Sequence, residues 1–198
     1  MKYLSQLDYP HMPYITRTDP ENPRHEHGKT TTVKSSGCGL CSAIMVADRL
    51  LTHYDFDLED AVALSYEVEA NRGAGTSYKA FAPAFADRMG LRLKATKDVQ
   101  ELVNCLQTGG AAVILAGGDR EGHIGLFTHG GHYMAAIGVE PDGRIAILDP
   151  SYRPEKYLEE GRVGKVEIID GPIVLATTEV LDEETREKAT PYYLFWRK

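Results

Sequence analysis

This chain has little cysteine, little tryptophan, no excess of positive charge and no long apolar run. Its three cysteines, Cys38, Cys41 and Cys105, are too few for a disulfide framework, so a reducing compartment is the default. No window holds the ~18 apolar residues that a spanning helix needs, which speaks against a helical membrane protein. Met1-Lys2-Tyr3-Leu4-Ser5-Gln6 does not read as a signal peptide, and the expectation is a cytoplasmic protein. Lys and Arg number 22 against 29 Asp and Glu, a net charge of −7 with no basic run. Nucleic acid and anionic membrane are therefore not expected partners. There is also no internal repeat and no low-complexity segment.

What is present is an ordinary globular composition. Hydrophobic residues make up 42% of the 198 and charged residues 26%, enough to build one core. A chain of this length suits a single domain that buries about 70% of the surface its unfolded form exposes. Residues 1–36 carry Pro10, Pro13, Pro20 and Pro23 and little periodicity, which predicts an irregular arm. From Thr16 to Lys34 the arm is polar and is expected to be a mobile loop. His25 and His27 lie in it, a pair that could bind metal; with no cysteine or further histidine nearby, a solvated loop is expected.

The chain is organised around residues 35–51, SSGCGLCSAIMVADRLL. Small residues suited to a cap and a tight turn run straight into Ala43, Ile44, Val46, Ala47, Leu50 and Leu51 at helical spacing. The spacing predicts a helix over about 39–54 with one buried face. Cys38 then stands at the first turn, where unpaired backbone N–H groups and the positive end of the dipole favour thiolate over thiol.

Further helices are predicted over 58–70, 77–89 and 98–107, the last ended by Gly109-Gly110 and carrying Cys105 as a core residue. Strands are predicted at 91–95, 111–116, 132–139, 145–148, 166–169, 173–175 and 192–196. A mainly helical stretch over 37–110 followed by mainly antiparallel strands over 111–198 argues an α+β domain, a helical half packed on an antiparallel sheet.

Glu140-Pro141-Asp142-Gly143 has the composition of a turn between the strands 132–139 and 144–149. With Glu140 and Gly143 flanking the turn, Asp149 falls opposite Met134. His132 lies two residues from Met134 on the same face. His132 and Asp149 thus become diagonal cross-strand neighbours, about 5–8 Å apart at Cβ, within reach of a carboxylate–imidazole hydrogen bond. Together with a thiol at a helix start they make the three parts of a thiol hydrolase: nucleophile, base and orienting carboxylate. The Gly117–Gly131 loop directly ahead of His132 reads as a candidate lid over a substrate cleft.

Four motifs, in this order, carry a family resemblance. They are Gln6-Leu-Asp-Tyr-Pro, Gly37-Cys38-Gly39 opening an apolar helix, Phe127-Thr-x-x-Gly131-His132-Tyr133, and Asp142-Gly143-x-Ile-x-x-x-Asp149-Pro150. From about residue 3 to 155 the chain resembles the papain-like cysteine peptidases of the bacteriocin-processing, double-glycine-leader type, in the stand-alone "peptidase C39-like" branch. The resemblance implies a papain-like fold and a peptide or amide substrate, with no metal or cofactor. It implies Cys38 as nucleophile, His132 as general base and acid, and Asp149 as its orienter. Gln6 and the Cys38 backbone N–H would form the oxyanion hole. The chain departs from the family in carrying Leu40-Cys41 where Pro and a small or hydroxyl residue usually follow Cys-Gly, and in the long gap from Gln6 to Cys38.

Rival readings remain open from the residues. Cys38-Gly-Leu-Cys41 is a C-x-x-C at a helix start, the arrangement of thiol–disulfide redox proteins, although the strand expected before such a motif is missing. A non-catalytic binding module on the same fold is a second alternative. A zinc site on Cys38, Cys41 and two histidines is a third.

Overall fold

Residues 1–19 and 31–198 are described by a computed structural model of the chain. Among them, seven strands pair into one sheet: β1 Leu91–Thr96, β2 Ala111–Ala116, β3 His132–Val139, β4 Ile145–Leu148, β5 Glu167–Ile169, β6 Ile173–Ala176 and β7 Tyr192–Arg197. Their spatial order is β1-β7-β2-β3-β4-β6-β5, and every pairing is antiparallel. The last strand made thus sits between the first two. The helices are α1 Val33–Ser36, α2 Cys38–Leu50, α3 Leu58–Glu67, α4 Tyr78–Arg88, α5 Val99–Gln107 and α6 Thr178–Thr185.

The α+β class stands, with one refinement. Helices cover both faces of the sheet rather than one. Ala111, Val113, Ala135, Leu148 and Phe195 face a core shared with α2, α3 and α4. Their alternate neighbours Ala112, Ile114, Met134, Ala136 and Ile147 face a second core shared with α5 and α6. Burial on both faces is why β2 reads as an unbroken apolar run. α6 was not foreseen: within Thr178-Glu-Val-Leu-Asp-Glu-Glu-Thr only Val180 and Leu181 are apolar, too few to show a period.

α2 corrects its expectation in two ways. It opens at Cys38 and stops at Leu50, because Leu51 turns extended and carries the chain toward buried Phe56. It is also buried nearly all round, since it lies between the sheet and α3 rather than on a surface. α3 likewise ends at Glu67, short of the predicted Ala70, because Glu69 takes a positive φ of 52° and the Ala70 N–H turns back to the Ser65 carbonyl.

The expected loose loop from Thr16 to Lys34 is corrected at its described ends. Tyr14, just ahead of it, is fully buried, with its hydroxyl 2.7 Å from Ser65 Oγ and 2.8 Å from Thr76 Oγ1. Arg17 bridges to Arg72, and the Tyr14 N–H donates to the Thr31 carbonyl. His25 and His27 lie outside the described residues.

Candidate active site

Cys38 owes its position to two glycines. α1 is a single turn, and the Gly37 N–H closes it onto the Val33 carbonyl at 2.8 Å. A Cβ at Gly37 would stand 2.5 Å from Val33 Cγ1, so a side chain there would force the turn open. A Cβ at Gly39 would stand 2.9 Å from the Tyr78 ring, whose hydroxyl donates to the Gly39 carbonyl at 2.5 Å. Tyr78 also stacks on Tyr133 at 4.4 Å between ring centroids, which ties α4 to β3 beneath the sulfur. Cys38 is left partly exposed at the mouth of a cleft of about 360 Å³.

The Cys38 thiol titrates below its ordinary value. Burial alone would raise it, but the His132 ring, by hydrogen bond and by charge, and the backbone of Tyr133 and Gly39 outweigh that. His132 moves the opposite way: burial lowers it, and the charge and hydrogen bond of Asp149 and the contact with Cys38 raise it further than burial lowers it. The two shifts favour thiolate beside imidazolium.

His132 is the first residue of β3, and its Nε2 lies 2.7 Å from Asp149 Oδ1. The hairpin brings them together by a route that differs from the predicted one. Val139 pairs with Ile145 and Gly138 with Ala146, one step off the expected register, because the turn runs from Glu140 to Arg144 with Gly143 at φ 90°. A bulge between Ala136 and Gly138 then shifts the pairing back, so Ala136 meets Ile147 and Ala135 meets Leu148. The two one-residue steps cancel, and the diagonal relation of His132 and Asp149 results.

Three further residues hold Asp149. Lys156 Nζ stands 2.5 Å and the Tyr157 hydroxyl 2.7 Å from Oδ2, and the Ser151 N–H donates to Oδ1 at 2.8 Å. Ser151 Oγ is also 3.1 Å from His132 Nε2. Burial works against the carboxylate, yet His132 and Lys156 hold Asp149 well below the usual carboxylate range. Lys156 is itself lowered, by burial first, with Asp149 opposing. None of the three was found from the sequence. They sit on the 3-10 turn Pro154–Leu158 and the bend before it, where no periodicity points inward. A lysine, a tyrosine and a serine within eight residues of a candidate acid were the only available signal.

Gln6 lies in a 3-10 turn, Gln6–Asp8, that folds back onto both halves of the chain. Its backbone N–H donates to the Pro150 carbonyl at 2.8 Å, and its Nε2 to the Lys34 carbonyl at 2.7 Å. The side chain is thereby brought beside the turn that leads to Cys38. Oε1 is buried with no protein partner.

Cys41, one turn along α2, is fully buried, and burial pushes its thiol far up, with the charge of Cys38 adding. Cys105 is buried against β2 and β7, pushed up to about 12 by burial. Among the described residues no group of three or more His, Cys, Asp or Glu could hold a metal ion. The Gly117–Gly131 loop is pinned, in contrast to the expected lid. Buried Glu184 accepts from the Leu126 N–H at 2.9 Å, Arg162 donates to the Gly125 carbonyl at 2.9 Å, and Leu126 and Phe127 fill the core beneath.

No protein-family model and no curated protein matches the sequence. Among solved structures, the chain is similar to the crystal structure of a proposed C39-like peptidase from Bacillus anthracis. The match has a TM-score of 0.50 at 13% identity and covers 82% of this chain and 88% of that one. It shows a distant likeness of fold. No helix among the described residues is long and apolar enough to cross a membrane.

Proposed function

We propose that the protein is a cysteine-dependent hydrolase that cleaves a peptide or amide bond, with Cys38, His132 and Asp149 in the roles of nucleophile, proton carrier and orienter. One observation carries the reading: a thiol held below its ordinary value at the start of a buried helix, against an imidazole fixed 2.7 Å from a buried carboxylate. The likeness of fold to a proposed peptidase supports it.

In this reading the Cys38 thiolate attacks the substrate carbonyl carbon, and the carbonyl electrons move onto oxygen. Gln6 Nε2 has one hydrogen committed to Lys34 and one to spare, and with the Cys38 backbone N–H it steadies that oxyanion. The imidazolium of His132 gives its proton to the leaving nitrogen as the C–N bond breaks, leaving a thioester. Water then attacks the thioester, His132 takes its proton, and the acid departs from the regenerated sulfur.

The redox alternative needs Cys41 to act as an exchanging thiol, and its burial and raised titration work against that. The test is alkylation by iodoacetamide near neutral pH, read by intact-mass spectrometry. Rapid labelling of the native protein is expected, lost in Cys38→Ala and kept in Cys41→Ala. On acidification it should persist below the thiol's reference value of 9.0 before it falls, since the folded form favours the thiolate. Labelling that survives Cys38→Ala and disappears in Cys41→Ala would reassign the nucleophile.

A further inference from the structure

The cleft at Cys38 does not end at the sulfur. It continues into a second groove of about 440 Å³. The two share Lys79, Leu115, Lys188 and Tyr193, so together they make one channel from the thiol past residues of α4, β1, β2 and β7. The outer part is largely apolar, with Pro83, Leu93 and Ala189 added to the shared residues. The charged residues that line it are Asp19 and Arg72 in the part that holds Cys38, Lys79 and Lys188 in both parts, and Glu187 in the outer part.

Lys188 is the informative one. Its backbone N–H is fixed to the Thr185 carbonyl at 2.8 Å, and its stem runs beside Gly117. The residue is half-buried, and among the described residues no carboxylate pairs with its ammonium. Arg72 and Arg186, by contrast, both have glutamate partners. A half-buried cation with no carboxylate partner among the described residues, lining an apolar channel in a chain of net charge −7, favours an incoming carboxylate.

His132 must protonate the leaving amine, so that half of the substrate lies toward the imidazole. Gly73–Ser77 line the cleft together with Cys38 and offer backbone to an extended acyl half. We propose that the channel recognises an acidic peptide: an apolar side chain on the acyl side of the scissile bond seats against Leu93, Leu115 and Tyr193, and a carboxylate on the adjacent residue is held by Lys188. This rests on the hydrolase reading and adds to it the class of substrate.

The test uses peptidyl acyloxymethyl ketones ending in alanine, with leucine and one of glutamate, glutamine or lysine before it, in both orders. Each reacts as the thiolate attacks the ketone methylene carbon; the sulfur–carbon bond forms and the acyloxy group leaves as a carboxylate with the electron pair. The readout is the ratio of labelling rates for the glutamate and lysine probes. It is taken within each protein, so partial unfolding slows both and leaves the ratio. The native protein should favour glutamate in the better order by about fivefold. Lys188→Glu should bring the ratio below one, and Lys188→Met should bring it close to one. A ratio near one in the native protein, a ratio unmoved by Lys188→Glu, or iodoacetamide labelling of Cys38 with no reaction of any peptidyl probe would overturn the channel assignment and leave the hydrolase reading standing. A Cys38 no more reactive to iodoacetamide than Cys41 would overturn both.

Discussion

Asp149 has no exposed surface and takes hydrogen bonds from four different residues. A carboxylate so surrounded holds its charge, and in the proposed hydrolase it would fix the ring and stabilise an imidazolium rather than accept a proton. Lys156 is the hidden partner. It neutralises the acid, and its positive charge also works against protonation of His132. Lys156→Met therefore has two expected effects. It leaves a buried carboxylate short of a partner, which should cost about 3 kcal/mol in urea unfolding. It should also move the His132 titration, followed by NMR of the ring, to higher pH. The sign follows from linkage. His132 is raised in the folded state, so its contribution to stability is complete below its reference value of 6.5 and is lost as pH rises through the folded value. In Lys156→Met that loss should set in later on the alkaline side. A His132 titration that moves down would contradict the assigned role of Lys156.

At the scale of elements, the site hangs on the α1–α2 junction and the β3–β4 hairpin. Gly37→Ala places a methyl group inside the α1 turn and should cost about 1–3 kcal/mol. The same change should slow alkylation of Cys38 several-fold, because the first turn of α2 must shift to accept it. Normal alkylation in a destabilised Gly37→Ala protein would show that the junction holds the fold but does not aim the sulfur. Much of this architecture could be read from residues alone. The turn composition and the period of two placed His132 diagonal to Asp149, although the step at Gly143 and the bulge before Gly138 were both invisible and succeeded only by cancelling. Small residues before an apolar run marked the start of α2. What escaped was whatever depends on contacts distant in sequence: the burial of Tyr14 by Ser65 and Thr76, the second helical layer under α6, and the return of Lys156 and Tyr157 onto Asp149. Local patterns record period and turn chemistry; they do not record which distant surface a polar segment will cover.

For the whole molecule, the sheet order decides how the parts depend on one another. β1 pairs only with β7, and β7 alone joins it to β2. The Pro191 carbonyl also accepts from the Leu115 N–H, and Tyr193 lines the channel beside Cys38. A chain ended at Pro191 should lose its cooperative urea transition, and its Cys38 should alkylate no faster than an ordinary thiol near neutral pH. A truncated protein that unfolds cooperatively and labels rapidly would show that β1 and β7 are dispensable to the site.

This arrangement has a temporal consequence. β7 follows every candidate active-site side chain in the sequence and lies between two strands made earlier. During folding the gap between β1 and β2 therefore stays open until that insertion, and only then does Tyr193 complete the wall of the cleft.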